Sequence, residues 1–138
     1  DYSKVGNKML EFTVQIGCPW NCTFCSEKLL FNMPNTFYRP IPQVIEILKE
    51  AEEKGWESAY LSATTFTYDK NYTRELCRQI KENGIDLKLR TDTRIDSVDE
   101  QLLREMASAG FAKISFGVET LEPEIHKSIR QTISCKSA

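Results

Sequence analysis

Strand-like and helix-like segments alternate along this chain, and that alternation restricts the folds it can adopt. The predicted strands are residues 10–16, 58–63, 85–90 and 113–118. The predicted helices, each with an apolar stripe, are residues 42–54, 70–82, 97–109 and 122–132. The last three strands begin about 27 residues apart, which is typical of strand–helix units. We therefore expect an α/β fold with a parallel sheet and outer helices, a partial (βα) barrel, because four units are too few to close one.

Three cysteines, Cys18, Cys22 and Cys25, lie in a short loop directly after the first predicted strand. Functional groups gather at the carboxyl ends of parallel strands, so this loop is placed where chemistry is expected. Thiolates are soft ligands that suit iron–sulfur clusters and zinc. Gly17 and Pro19 allow the loop to bend around a bulky centre. A closed zinc site needs four protein ligands, whereas three thiolates leave one iron of a cubane cluster open.

The spacing Cys-x3-Cys-x-aromatic-Cys, formed by Cys18, Cys22, Phe24 and Cys25, resembles the signature of the radical S-adenosylmethionine (radical SAM) superfamily. The resemblance implies that the cysteines hold a [4Fe-4S] cluster and that SAM chelates the open iron. It implies a (βα)6 barrel, of which this chain would cover about the first four units. Residues 1–138 are then the N-terminal portion of a radical SAM core domain, and a chain that begins at Asp1 is expected to be a fragment of a longer protein.

The segment after the second predicted strand, residues 61–67, resembles an Asp-Asp-x-Phe-Thr motif of family members that carry a cobalamin-binding domain upstream. Threonines stand here in place of the acids. The family's Gly-Gly-Glu motif, which holds the amino group of SAM, is absent. The resemblance leaves Ser62 and Thr64 as candidates for that contact, and a threonine-rich capping turn is the alternative.

Two later motifs resemble the same subgroup: an Arg-x-Asp that begins at Arg90, placed after the third strand, and a Gly-Val-Glu that ends at Glu119, placed at the end of the fourth. The resemblance implies that both side chains lie near the ribose or methionine part of SAM. A carboxylate accepts hydrogen bonds from hydroxyl or ammonium groups, and a guanidinium binds a carboxylate through two donors. Ordinary surface ion pairing is the alternative.

The resemblance also implies a reaction. A reduced cluster passes one electron to SAM, which splits into methionine and a deoxyadenosyl radical that takes hydrogen from a substrate. The substrate, a small molecule or a peptide, is not specified, and a cobalamin-dependent methylation or rearrangement is the outcome that the subgroup implies, with cobalamin bound outside this chain. A flavodoxin- or ferredoxin-like reductant is the expected partner. Two alternatives stay open: a non-catalytic zinc-binding βα module and an iron–sulfur electron carrier.

Composition excludes several other classes. Hydrophobic residues make up 41% of the 138 residues, which is typical of a globular domain. Five cysteines, three of them clustered, fit a disulfide framework badly and a reducing compartment, the cytoplasm, well. A net charge of −2 without a basic block gives no support to nucleic-acid binding. No apolar run approaches the roughly 20 residues that span a bilayer, so no membrane partner is expected.

The end of the predicted sheet suggests one further partner. If the sheet stops after the strand at 113–118, that strand has an unpaired edge, and an apolar stripe on the last helix lacks its next neighbour. Such edges and patches invite association. We therefore expect the isolated chain to self-associate through this incomplete barrel edge or to be marginally stable.

Overall fold

The computed structural model describes residues 9–20, 22–27 and 35–129. Its elements in chain order are strand β1 (Met9–Ile16), strand β2 (Phe37–Tyr38), helix α1 (Ile41–Glu53), strand β3 (Ser58–Ala63), helix α2 (Lys70–Glu82), strand β4 (Lys88–Arg94), a 3-10 turn (Ile95–Ser97), helix α3 (Glu100–Ser108), strand β5 (Phe111–Gly117) and helix α4 (Pro123–Ile129). The predicted alternation of strands and helices is confirmed.

The strands form one sheet in the order β2-β1-β3-β4-β5. The four longer strands are parallel to one another, and β2 pairs antiparallel with the end of β1. Within the described residues the sheet has two edges, so it is not closed, as expected for a partial (βα) barrel. Strand β2 was not predicted, because its segment, residues 26–41, was interpreted as a loop packed over the cysteines. Residues 28–34 of that segment lie outside the described residues.

Helices α1 and α2 each bury one stripe against the sheet. The buried residues are Val44, Ile45, Leu48 and Ala51 in α1 and Thr73, Leu76, Cys77 and Ile80 in α2. Pro42 lies in the first turn of α1, where a missing N–H costs nothing. Asp69 caps α2, since its carboxylate accepts hydrogen bonds from two backbone N–H groups of the first turn. Helical periodicity predicted the stripe of α2 in full, whereas in α1 it predicted Ile47 where Ile45 is buried.

Helix α3 begins differently from the prediction. The Ser-x-x-Glu spacing of residues 97–100 is typical of a capping box and predicts Ser97 as the cap. The cap is instead Asp99, whose carboxylate accepts a hydrogen bond from the Leu102 N–H at 2.8 Å. Ser97 is instead buried in the preceding 3-10 turn, and its hydroxyl donates to the Arg94 carbonyl at 2.8 Å. The serine thus stabilises the end of β4 rather than the start of α3.

Strand β4 lies further along the chain than the predicted strand at 85–90. Ile85 and Leu87 are buried in the connection from α2, and pairing with β3 begins at Lys88. Pairing with β5 continues to Arg94. Backbone pairing on both sides therefore decides the strand's bounds, which alternation alone could not reveal. As a result Arg90 lies inside the strand, and Arg94 is its last residue.

The two faces of the sheet differ in character. The face toward the helices carries the apolar core, and its fully buried strand residues include Val14, Ala59, Leu61 and Leu89. Each buried leucine contributes about 1.5–3 kcal/mol. The opposite face, called the polar face here, consists of Glu11, Thr13, Tyr60, Ser62, Arg90, Asp92, Lys113 and Ser115, which the register aligns on neighbouring strands. None of the described helices is long and apolar enough to cross a membrane.

Candidate functional site

The cysteine loop leaves the carboxyl end of β1 through Gly17, and only glycine fits there. Gly17 has a φ of 83°, in the left-handed region, and a Cβ at this position would lie 2.1 Å from the carbonyl oxygen of Asn35. Backbone therefore passes directly against the start of the loop. The sequence suggested glycine as a hinge, and the structure shows that it also permits this close approach.

A buried glutamine fixes the same stretch of loop. Gln15 is 2% exposed. Its side-chain amide donates to the Gly17 carbonyl at 2.5 Å, and its side-chain oxygen accepts from the Thr65 N–H at 2.9 Å. The alternation in β1 assigned Gln15 to a polar face, but a register shift between Thr13 and Gln15 turns it inward. The glutamine thereby joins the cysteine loop to the segment after β3.

The three thiols of the loop are all free. Cys18 and Cys22 are half-buried and Cys25 is exposed. Burial raises the pKa of the Cys18 thiol, and the nearby Cys22 and Cys25 act in the same direction, while hydrogen bonds from Trp20 and Thr65 oppose them. The Cys25 N–H donates to the Cys22 carbonyl at 3.2 Å, which closes a turn between those two cysteines. The loop therefore carries three free thiols within a short segment, two of them in one turn.

The far side of this loop is tied to the last described helix. The Thr23 N–H and hydroxyl both donate to the carbonyl of Ile129, at 3.1 Å and 3.4 Å. Ile129 is the final residue of α4 and lies 106 positions later in the chain. Residues near both ends of the described chain therefore meet at the cysteine loop.

Arg94 lies at the same carboxyl end of the sheet, and the sequence motifs did not predict it as a site residue. Its guanidinium carbon is 4.3 Å from the centroid of the Trp20 ring, and Nη1 donates to Cys22 Sγ at 3.6 Å. Nε donates to Asp96 Oδ1 at 2.8 Å, and Nη2 donates to the other carboxylate oxygen. A signal was available, because the Arg-x-Asp pattern occurs twice in succession, at Arg90 and again at Arg94. The predicted strand ends at the first copy, whereas the observed strand ends at the second.

Arg90, the predicted SAM contact, lies away from the cysteine loop. Its guanidinium carbon is 5.3 Å from the Tyr60 ring centroid, and its Nη1 donates to Met9 Sδ at 3.6 Å. Met9 begins β1, and Arg90 is in register with Tyr60 and hence with Glu11, five residues before the end of β1. At about 3.3 Å per residue, Arg90 is roughly 16 Å along the sheet from the start of the cysteine loop. The structure does not bring this arginine to the cysteines.

Thr64 does reach the cysteine loop. It is the first residue after β3, and its hydroxyl donates to Glu27 Oε1 at 2.7 Å. Glu27 follows Cys25 by two positions, so this hydrogen bond joins the carboxyl end of β3 to the end of the cysteine loop. Ser62 lies two residues earlier on the polar face, paired with Thr13. Both candidate hydroxyls are half-buried.

A comparison with protein families identifies the chain. The model of the radical SAM superfamily matches residues 12–135. The chain belongs to the radical SAM superfamily. The recognition made from the cysteine spacing is thereby confirmed, and with it an enzyme family whose members use a [4Fe-4S] cluster and SAM.

Several curated proteins are similar to this radical SAM chain. An uncharacterised methyltransferase of Pyrococcus horikoshii is 29% identical over 119 residues, which are 86% of this chain and 26% of that protein. Cytidylyl-2-hydroxyethylphosphonate methyltransferase of Streptomyces wedmorensis is 28% identical over 117 residues, 84% of this chain and 22% of the relative. Biotin synthase of Corynebacterium glutamicum is 23% identical over 105 residues, which are 75% of this chain and 31% of that protein. The chain thus spans about a quarter of the length of these relatives.

The donor set of the loop fits the cluster that the radical SAM family uses. Cys18, Cys22 and Cys25 supply three free thiols and no fourth protein ligand from the loop. Within the described residues, no three His, Cys, Asp or Glu side chains are close enough together to chelate a single metal ion. Three thiolates on a cubane bind three different iron atoms, so wider separation of the sulfurs is compatible with a cluster.

Two further residues with radical SAM motif support lie at exposed positions. Phe24, the aromatic residue of the signature, is 51% exposed on the cysteine loop. Glu119 is exposed two residues after β5, and its φ of 64° is in the left-handed region. The end of β5 is in register with Arg94, through Gly117. Phe24, Thr64, Arg94 and Glu119 therefore lie at the carboxyl ends of the strands, whereas Arg90 does not.

Proposed function

We propose that this chain is the part of a radical SAM enzyme that binds the cluster and SAM, with Cys18, Cys22 and Cys25 as the iron ligands. The observation that carries the proposal is one loop with three free thiols, held at the carboxyl end of β1 by Gln15 and Gly17. When bound, the cluster supplies the electron that splits SAM into methionine and a deoxyadenosyl radical able to take hydrogen from a substrate.

The residues around the loop are proposed to hold SAM in one orientation. The Thr64 hydroxyl and the Glu27 carboxylate that it binds lie beside the cysteine loop, where hydroxyl and carboxylate oxygens can accept hydrogen bonds from an ammonium group. Ser62 is retained as a weaker candidate, since it lies further down the polar face. Glu119 is proposed to accept hydrogen bonds from hydroxyl groups of SAM. Phe24 presents an aromatic face that can pack on the adenine ring and exclude water.

The whole protein is proposed to transfer a methyl group. Two similar proteins are named as methyltransferases, which favours this reaction over other radical SAM outcomes. The segment at residues 61–67, although threonines replace the acids of its motif, and the Gly-Val-Glu that ends at Glu119 resemble the subgroup with an upstream cobalamin-binding domain. We propose cobalamin, bound outside this chain, as the methyl carrier, and a flavodoxin- or ferredoxin-like protein as the reductant. A compartment that keeps thiols reduced, such as the cytoplasm, suits such a loop.

The test is anaerobic reconstitution of the chain with iron and sulfide, followed by EPR spectroscopy of the reduced protein with and without SAM. About four iron and four sulfide per chain are expected for a [4Fe-4S] cluster. A shift of the reduced cluster's EPR signal on addition of SAM is expected if SAM binds the open iron. Bound zinc without sulfide would identify a zinc module instead, and a cluster whose signal ignores SAM would identify an electron carrier.

A further inference from the structure

We propose that Arg94 raises the reduction potential of the cluster by donating a hydrogen bond to the sulfur of Cys22. The inference rests on the proposed function, because it requires Cys22 to be a cluster ligand. It assigns to Arg94 a positioning and tuning role that the cysteine motif does not contain.

Two neighbours, Asp96 and Trp20, hold the Arg94 guanidinium beside the sulfur of Cys22. Asp96 accepts two hydrogen bonds from it, and the Trp20 ring covers it at 4.3 Å. A planar guanidinium has five N–H donors, and Asp96 accepts from only two of them. The hydrogen bond to Cys22 Sγ at 3.6 Å uses a third donor, on Nη1. The Arg94 side chain is 12% exposed, which makes water a poor competitor for that donor.

The main chain of Arg94 is fixed as well. Its carbonyl accepts the hydrogen bond of Ser97 at 2.8 Å. Ser97 belongs to a buried hydroxyl cluster in which Thr67 Oγ1 lies 2.6 Å from both Ser97 Oγ and Thr93 Oγ1. Both ends of the arginine are thus fixed, so the donor need not be ordered when a cluster binds.

Charge gives the direction of the effect. Reduction adds one electron to the cluster and its thiolates, so a donor and a positive charge beside one sulfur favour the reduced state. An arginine guanidinium keeps its proton in proteins, so the positive charge of Arg94 persists beside the sulfur. Asp96 offsets part of that charge, yet its side chain is 51% exposed and better screened by water than the arginine. The net effect is to ease reduction.

The experiment measures the one-electron reduction potential of the reconstituted chain without SAM, by voltammetry of the adsorbed protein. Spectra of the protein reduced with dithionite in solution serve as the reference for the reduced cluster. Arg94→Gln is expected to make reduction at least tenfold less favourable, a shift of about 59 mV to lower potential. Arg94→Lys keeps the charge but loses the two-donor geometry, so a smaller shift in the same direction is expected. Arg90→Gln, on the same strand and face but remote from the cysteines, should match the unchanged protein.

Each other outcome overturns the inference. An unchanged potential in Arg94→Gln with full iron and sulfide content removes Arg94 from the cluster and leaves the proposed function intact. Weaker SAM binding at an unchanged potential would make Arg94 a SAM ligand instead. If Arg94→Gln fails to retain a cluster, Arg94→Lys decides, and an unchanged potential there contradicts the proposal. Failure of the unsubstituted chain to assemble a cluster would overturn the proposed function itself.

Discussion

Glu119 has a backbone conformation that its residue type disfavours. A φ of 64° costs a residue with a side chain about 1–2 kcal/mol relative to glycine. The Thr120 N–H donates to the Val118 carbonyl at 2.7 Å across this residue, so a tight turn holds the conformation. Strained residues of this kind persist where the surroundings fix them, and they are frequent at functional sites.

Substitutions of Glu119 should separate stability from SAM binding. Glu119→Gly relieves the strain but loses about 0.4–1 kcal/mol through a freer unfolded chain, so a net gain of about 0.5 kcal/mol in the free energy of unfolding is expected. Glu119→Gln should leave stability and iron content unchanged. Both should weaken SAM binding measured by calorimetry on the reconstituted chain, and unchanged affinity would remove Glu119 from the site.

The cysteines can be tested one at a time. Replacing Cys18, Cys22 or Cys25 by Ala is expected to abolish cluster retention, since each is proposed to supply one of three iron ligands. Cys77→Ala is the control within the fold, because that thiol is buried on α2 away from the loop. Cys135→Ala is a second control, at a position outside the described residues. Iron and sulfide analysis decides, and loss of iron from Cys77→Ala with retention in Cys22→Ala would contradict the assignment.

At the scale of elements, periodicity predicted the helices and strands whose positions depend on the local sequence alone. The helical stripes and the strand at Ser58–Ala63 follow from spacing alone. The bounds of β4 did not, because pairing with β3 and β5 sets them. The inward turn of Gln15 and the contact of Arg94 with Cys22 also depend on neighbours distant in sequence. The cysteine motif, and the family that it indicates, were therefore predictable from local sequence, whereas the side chains around the cysteine loop were not.

Gln15, which links the cysteine loop to the segment after β3, is expected to contribute both to stability and to cluster retention. Gln15→Leu leaves the Gly17 carbonyl and the Thr65 N–H buried without a partner, at about 1–3 kcal/mol each. A fall of roughly 2–6 kcal/mol in the free energy of unfolding is expected in urea, with weaker cluster retention.

A matched glutamine on the surface provides the control. Gln101 is exposed on α3, so Gln101→Leu should change the free energy of unfolding by less than about 0.5 kcal/mol and leave iron content unchanged. Equal destabilisation by the two substitutions would show that the buried hydrogen bonds of Gln15 contribute nothing special.

At the scale of the whole molecule, β5 is the feature that stands out. It pairs with β4 on one side and forms an edge of the sheet within the described residues. The segment after it exposes apolar side chains, namely Val118, Leu121 and Ile125. The curated relatives are about four times longer than the segment that they share with this chain.

Self-association of the isolated chain therefore remains a prediction for this edge. Leu121 is 91% exposed, so Leu121→Lys should reduce association measured by sedimentation. Phe37→Lys is the matched control, since Phe37 is 54% exposed on β2 at the opposite edge. A stable, monodisperse monomer before any substitution, with rapid amide exchange along β5, would contradict the prediction.

The bonds between Thr23 and Ile129 impose an order on biosynthesis. A ribosome releases the cysteine loop first and the carbonyl that anchors it 106 residues later, an interval of about 5–20 seconds at usual rates of elongation. During that interval the three thiols are accessible to oxidants and to stray metal ions, and the loop lacks its last anchor. If the proposed cluster is assembled on this loop, iron and sulfide that arrive before α4 has emerged would meet a loop without this anchor, so cluster assembly is expected to be most complete after α4 has emerged.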